Sequence, residues 1–340
     1  MFRFLLSFSV LSIAFSGLTL IQRFEHWAKS FEIAFQNSDH HALVFKKWVD
    51  NDNFIELINA QNLSYTLGHN QFSGMNIEEY RVYLSYKSEE KPLRTGGYSR
   101  GYYAANTPPK SVDWIAAGAV TNVKDQGQCG SCWSFSTTGA LEGAYFNKFG
   151  KLVSFSEQNL VDCDTLKNGG RDHGCNGGLM DNAFHWIEKN FGLCGEVDYP
   201  YISGTTKKAG PCKTTCTNIE GSRIVDFVDV APSSDTDMML ALAKNPVSIA
   251  IQADQREFQL YQSGVFTGAC GANLDHGVLA VGYGNLNGVD YYLVKNSWSY
   301  SWGQDGYILL GRGRNPDTGT VYNGGDGQCG MLLQGSYPVL

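Results

Sequence analysis

Gln126-Gly127-Gln128-Cys129-Gly130-Ser131-Cys132-Trp133 is the stretch on which the reading of this chain turns. Two cysteines three apart admit three chemistries. A zinc knuckle on Cys129 and Cys132 needs a second close pair, and Cys163, Cys175, Cys194 and Cys212 are spaced wrongly for one. A redox dithiol belongs in a βαβ unit, which the surrounding pattern does not show. The third chemistry makes Cys132 a nucleophile while Cys129 is tied up in a disulfide. Cys132 to Phe149 reads as a helix that begins just after a Gly-rich turn, so the thiol sits where the helix dipole lowers its pKa.

Working outward, all nine cysteines fall between Cys129 and Cys329. A cytosolic protein rarely keeps that many outside metal or redox sites, and an odd number leaves one thiol over when the rest pair. The N-terminus supplies a matching compartment. Met1-Phe2-Arg3 is a short basic start, Phe4 to Phe15 is apolar, and Ala14-Phe15-Ser16 fits a small-x-small cleavage rule. Residues 1–16 therefore read as a secretory signal peptide, which directs the rest to an oxidising lumen. No other segment is long enough to cross a bilayer.

The chain has 340 residues, 43% hydrophobic and 17% charged, which is enough to bury a sizeable core. Residues 1–107 carry ten basic and ten acidic side chains, so the whole net charge of -7 lies in residues 108–340. No basic run exists, which argues against nucleic acid as a partner.

From Phe24 to Leu63 apolar residues recur at three and four (Phe31, Phe35, Val44, Trp48, Ile55, Ile58). One or two amphipathic helices are expected there, broken around Asn37-Ser38-Asp39. A short strand or turn follows at Tyr65-Thr66-Leu67-Gly68, and another helix near Ile77–Tyr86. Lys87 to Pro109 is polar and Gly-rich and reads as an exposed, cleavable linker. Further on, Ser156–Cys163 and Met180–Asn190 are helical candidates. Strands are expected at Ile224–Val228, Val247–Ile251, Val278–Val281, Tyr291–Val294 and Tyr307–Leu310. Helix-rich then strand-rich halves make an α+β fold with its site in the cleft between them.

Among the histidines of the second region, His185 falls mid-helix and His173 in a polar loop that looks solvated. His276 opens a strand after Asp275 and before a glycine, at the edge of the cleft. The motifs Cys129-Gly130-Ser131-Cys132-Trp133, Ser156-Glu157-Gln158-Asn159-Leu160-Val161-Asp162-Cys163, Gly174-Cys175-Asn176-Gly177-Gly178, Asp275-His276-Gly277 and Asn296-Ser297-Trp298 occur in this order. A chain that carries them resembles a papain-like cysteine protease precursor, closest to the cathepsin L type, from about Phe24 to the C-terminus.

The resemblance implies a two-subdomain fold, with a helical N-terminal half and a β-barrel-like C-terminal half around an active-site cleft. It makes Cys132 the nucleophile, His276 the base, Asn296 the residue that orients the ring, and Trp298 the cover over that bond. Gln126 and the Cys132 N–H become oxyanion donors. The implied reaction is endopeptidase hydrolysis through a thioester, with no metal or organic cofactor. Gly178 binds extended substrate through its backbone, and Leu179, Met180, Ala250, Leu274 and Gln334 line the pocket for the residue upstream of the cleaved one. Asp275 lies at the same edge. Mostly apolar walls favour Leu, Phe or Val, and Gln334 departs from the small residue common in this type. Implied disulfides are Cys129–Cys175, Cys163–Cys212 and Cys270–Cys329. Cys194 and Cys216 are left as a fourth pair outside the family pattern, and whether Cys212 or Cys216 meets Cys163 stays open. Ser299 stands where the family often has glycine, and the loop Gly311–Gln328 is long.

Residues 17–107 resemble the family's inhibitory propeptide, followed by a mature domain at 108–340. The helix motif survives as Trp48, Asn51, Ile55 and Asn59, but His40 and Val44 replace its upstream Glu and Arg. Gly68-His69-Asn70-Gln71-Phe72 matches the next motif, with Gly74 where an acidic residue or alanine is usual. Acid charging of His26, His40, His41 and His69 is expected to loosen this inhibitor. Asn62-Leu63-Ser64 is the one glycosylation sequon. The partners expected are protein and peptide substrates and the chain's own propeptide, in a monomer without a stable membrane span. Its destination is the lysosome or vacuole, or the exterior. A catalytically silent binding scaffold of the same fold is the alternative.

Overall fold

The structure is a computed structural model that describes residues 17–85 and 107–340. Residues 1–16 and most of the expected linker lie outside the described residues. In the N-terminal region, helix α1 spans Leu20–Ser30 and helix α2 spans Ser38–Asn59. They separate at Asn37, which is extended and caps α2 by accepting from the His40 amide. Strand β1 follows at Tyr65–Leu67 and the short helix α3 at Ile77–Tyr80. The helix expected out to Tyr86 ends early: Arg81–Tyr83 is a 3-10 turn and Leu84 is already extended.

The C-terminal region opens with β2 (Val112–Asp113), then α4 (Cys132–Phe149), α5 (Glu157–Cys163), α6 (Met180–Lys189) and α7 (Ser203–Thr206). Strands then dominate: β3 (Asp226–Asp229), β4 (Val247–Ile251), β5 (Tyr261–Phe266), β6 (His276–Leu286), β7 (Val289–Lys295), β8 (Tyr307–Gly311) and β9 (Gly335–Val339). Helices α8 (Asp235–Leu242) and α9 (Arg256–Gln259) lie among them. The strands run in the order β1-β5-β8-β7-β6-β4-β9-β3, with β2 on β6. Only β5 and β8 pair in parallel. This sheet is not closed into a barrel, unlike the barrel-like half expected. Its two ends are β3 and β1, and β1, supplied by the N-terminal region, covers the β5 edge.

Two apolar cores divide the C-terminal region. One surrounds α4 and includes Trp133, Leu141, Phe184 and Leu279. The other fills the sheet side and takes in Ile55, Tyr65, Phe72 and Tyr80 of the N-terminal region beside Trp298 and Trp302. Helix α4 packs against β6, where a Cβ on Gly139 would come within 2.7 Å of the Leu279 side chain. Ser136 Oγ then donates to the Val278 carbonyl at 2.7 Å, fixing the helix on the strand.

A third core holds Phe24, Trp27, Ala28, Val44 and Trp48. Val44 and Gly74, two of the three departures in the N-terminal motifs, face each other there. A Cβ on Gly74 would lie 2.7 Å from both Val44 Cγ1 and Trp27 Cη2, so the contact between these two positions is apolar and tight. The asparagines of the helix motif hold turns: Asn51 Nδ2 donates to the carbonyl of Ser73, and Asn59 exchanges two hydrogen bonds with Leu67. Two of the four histidines expected to loosen the inhibitor on charging lie against carboxylates. His41 Nε2 lies 2.7 Å from Glu25 and His69 Nε2 2.9 Å from Asp52, so a proton on either ring strengthens its contact.

Candidate active site

Four disulfides join Cys129–Cys175, Cys163–Cys212, Cys194–Cys216 and Cys270–Cys329. Cys212 therefore meets Cys163, and Cys132 is the one cysteine without a partner. Its neighbours are pinned: the Cys129 bridge holds the loop, and Gly130 donates its amide to the Cys175 carbonyl. Cys132 then opens α4 and is fully buried. Burial pushes its thiol up to about 11, against the backbone N–H groups of Gly277, Ser85 and Trp133, which pull it down.

The Gly277 contact brings the start of β6 to the sulfur, and His276 is the residue just before it. His276 Nε2 lies 2.8 Å from Asn296 Oδ1, which also accepts the Ser297 amide. Two donors on one oxygen fix the amide's orientation, so the ring proton sits on Nε2 and Nδ1 keeps the lone pair. Nδ1 is buried and finds no hydrogen-bond partner among the described residues. Trp298 stacks on the ring, centroids 4.6 Å apart and planes 21° apart, and is itself buried. Burial pulls His276 down to about 4, with the Asn296 bond acting in the opposite direction. Between those values the thiol and the imidazole are both neutral.

The amide of Gln126 faces the same place. Its Oε1 accepts from Ser297 Oγ at 2.7 Å, and its backbone N–H donates to the Ser297 carbonyl at 2.9 Å. With the oxygen held, Nε2 donates at 3.0 Å to both the Cys129 carbonyl and the carbonyl of Tyr83. Tyr83 and Ser85 belong to the N-terminal region, so its backbone crosses the site. More contacts hold that region down. Gln71 Nε2 donates to the Trp298 carbonyl at 2.6 Å, Tyr80 Oη donates to the Ala253 carbonyl at 2.8 Å, and the Phe72 and Tyr80 rings meet Trp298 edge-on. Sequence reasoning missed Tyr83 and Ser85, because the helix expected to Tyr86 hid an extended segment. Ser297 was within reach, as the residue between two of the named positions.

Of the residues expected to bind substrate, Leu179, Met180, Ala250 and Leu274 share the core cluster that holds Cys132 and Trp133. Gly178 is closely enclosed, since a Cβ there would lie 2.7 Å from Asp172 and from the Trp133 ring. Gln334 is half-buried, and its carbonyl accepts the Ala250 amide at 3.1 Å. The Asp275 carboxylate accepts the Ala253 amide at 2.7 Å, and burial raises it to about 7. His185 lies on α6 against Glu188 at 3.2 Å. His173, expected to be solvated, is half-buried. Ser299 adopts φ +63°, the left-handed region in which a glycine is free of strain.

Comparison with known proteins agrees with this geometry. Residues 108–339 match the family described as papain family cysteine protease. Residues 24–80 match the cathepsin propeptide inhibitor domain. The cysteine protease XCP2 of Arabidopsis thaliana is 43% identical over 323 residues, covering 94% of this chain and 86% of XCP2. The cysteine proteinase RD21A of the same plant is 44% identical over 298 residues, but the chain spans only 61% of its length. Among solved structures, a recombinant stem bromelain precursor superposes with a TM-score of 0.80 at 35% identity, covering 94% of this chain and 99% of its own.

Proposed function

The chain belongs to the papain family of cysteine proteases, and on that premise we propose that it is an endopeptidase made as a secreted zymogen. Residues 1–16 are then the signal peptide, 17–107 the inhibitor and 108–340 the mature enzyme, delivered to a lysosome or vacuole or to the exterior. No helix among the described residues is long and apolar enough to cross a membrane.

The observation that carries this reading is the backbone lying on the catalytic groups. The Tyr83 carbonyl accepts from the Gln126 amide, as the oxygen of a scissile bond would. The N–H of Ser85 in the same segment meets the sulfur of Cys132. The segment thus engages both the Gln126 donor and the Cys132 sulfur. It also keeps the site dry, which opposes charge on both Cys132 and His276.

Removal of the cover lets water and substrate in, and the Cys132 proton passes to Nδ1 of His276. The thiolate attacks the substrate carbonyl carbon, and the oxygen takes the pair of electrons under the Gln126 Nε2–H and Cys132 N–H donors. The tetrahedral species collapses to a thioester while His276 gives its proton to the departing amine. His276 next takes a proton from water, the hydroxide attacks the thioester, and the acid leaves as the thiolate reforms. Asn296 holds the ring through both halves, and Trp298 shields their bond from water. Gly178 pairs with extended substrate, and the Leu179, Met180, Ala250, Leu274 and Gln334 walls select an apolar side chain.

The test is to treat processed protein at mildly acid pH with less than one equivalent of a thiol alkylator, and map the adduct. Label confined to Cys132, with peptidase activity on a Leu- or Phe-containing peptide lost in proportion, is the expected result. A folded, processed protein that binds such peptides without cleaving them is instead the silent scaffold.

A further inference from the structure

The loop that carries the catalytic motif is braced from a segment with no assigned role. Residues 199–206 are held by their surroundings: the Cys194–Cys216 and Cys163–Cys212 bridges flank them, and Gln158 Oε1 accepts the amides of Ile202 and Ser203 at 2.8 and 2.9 Å. From this frame Tyr201 Oη reaches the Gln126 carbonyl at 2.8 Å and Ser131 Oγ at 2.7 Å. A carbonyl only accepts, so the phenol donates its single proton to Gln126, and the Ser131 hydroxyl donates to the phenol. The ring meets Phe135 of α4 edge-on at 4.9 Å.

The backbone beneath has no slack. Gln128 donates its amide to the Gly204 carbonyl at 3.1 Å, and a Cβ on Gly127 would lie 2.7 Å from the Gly204 Cα. Gln126 and Ser131 are the two ends of the loop that separates the Gln126 side chain from the Cys132 N–H. We propose that Tyr201 is a positioning residue for acyl transfer, whose hydroxyl ties the two ends of this loop together and so fixes the distance between the two oxyanion donors. The proposal rests on the endopeptidase reading, because it needs those donors to act on a developing oxyanion.

The chemistry of the proposal separates two readouts. Acyl transfer builds charge on oxygen and feels the donor spacing; alkylation of Cys132 by iodoacetamide needs only the thiolate. In processed Tyr201→Phe enzyme, kcat on a peptide amide should fall on the order of ten- to a hundred-fold, with KM and the iodoacetamide rate at Cys132 changed by less than about twofold. A peptide aldehyde, whose adduct carries the tetrahedral oxygen, should bind more weakly by the factor lost in kcat. Ser131→Ala keeps the phenol's bond to Gln126 and should give a smaller loss of the same pattern, which covers poor folding of the first variant. An unchanged kcat in both variants overturns the proposal while leaving the endopeptidase reading intact. A kcat loss matched by the alkylation rate also overturns it, since that marks damage to the thiol itself. Wild-type processed protein without peptidase activity overturns the endopeptidase reading and this proposal together.

Discussion

At the N-terminus of α4, Cys132 lies under the propeptide beside the strand that opens with His276. Ten residues further along the same helix, Glu142 lies in the interior of the peptidase region with Lys124 and Glu157. Both places are buried, yet their charges behave in opposite ways. Lys124 Nζ reaches Glu157 at 2.6 Å and Glu142 at 3.4 Å. Burial opposes the Lys124 charge, but those two carboxylates outweigh it and hold the ammonium above its ordinary value. Lys295, whose Nζ donates to Thr121 Oγ1 at 3.0 Å, is pulled down to about 8 by burial despite Glu142. Glu196 is raised to about 8 by burial and then by the charge of Glu157. Thus permanent burial is tolerated where opposite charges are packed together. Around Cys132 and His276 the covering residues supply backbone and aromatic rings, and the pair goes neutral. The difference is that this cover is held by a separable segment.

Breaking each set should therefore cost different things. His276→Ala in processed enzyme should lower kcat/KM by about a thousand-fold or more, measured on a peptide amide, with the fold intact by circular dichroism. Lys124→Met leaves Glu142 and Glu157 without their cation and should destabilise the fold by roughly 3–5 kcal/mol in urea unfolding, while the molecules still folded keep a normal kcat. If that variant were as stable as wild type, the contrast between the two sets would fail.

A smaller test lies under the substrate-binding edge. Asp164 and Asp172 are both buried and hydrogen-bond to each other, and Asp172 Oδ1 also accepts the Leu179 amide at 3.0 Å. Burial raises Asp164 to about 6, and burial with the charge of Asp164 raises Asp172. A carboxyl whose pKa is higher folded than unfolded stabilises fully below the unfolded value of about 4, and that contribution is lost as pH climbs through the folded value. Wild-type stability should fall between pH 4 and 7 by on the order of 2 kcal/mol more than that of Asp172→Asn, whose amide donates without needing a proton. Equal slopes would show that the pair carries no shared proton. Smallest of all, Ser299→Gly should stabilise by about 0.5–1 kcal/mol in the same assay, by relieving the left-handed backbone.

Much of this was legible in the sequence where the signal was local. Helix α4 and strand β4 stand at the positions expected from hydrophobic pattern alone, and the break at Asn37 follows from its capping side chain. The motifs name Cys132, His276, Asn296 and Gln126, and the structure brings His276 to Asn296 and Gln126 to Ser297. Elements with weakened local signals were missed. Strand β9 contains Pro338, which disqualifies it by propensity, and β5 contains Gly264 at φ +86°. Contacts between distant parts had no local trace at all. The Tyr83 carbonyl reaches Gln126 across 43 residues and Tyr201 reaches Gln126 across 75, so neither periodicity nor motif spacing could reveal them.

The propeptide's grip is itself mixed. Arg256 meets Asp50 at 2.6 Å and Arg81 meets Asp254 at 3.1 Å across the boundary, solvent-facing pairs that salt weakens. The ring contacts of Phe72 and Tyr80 with Trp298 carry no charge, so salt loosens only part of the cover.

The most direct measurement is the second-order rate of Cys132 alkylation by iodoacetamide from pH 4 to 10, on intact precursor and on processed protein. A removable cover over a neutral pair predicts a slow precursor reaction that rises only in the alkaline range. It also predicts a processed enzyme that reacts fast from mildly acid pH upward. Superimposable profiles for the two forms would contradict it.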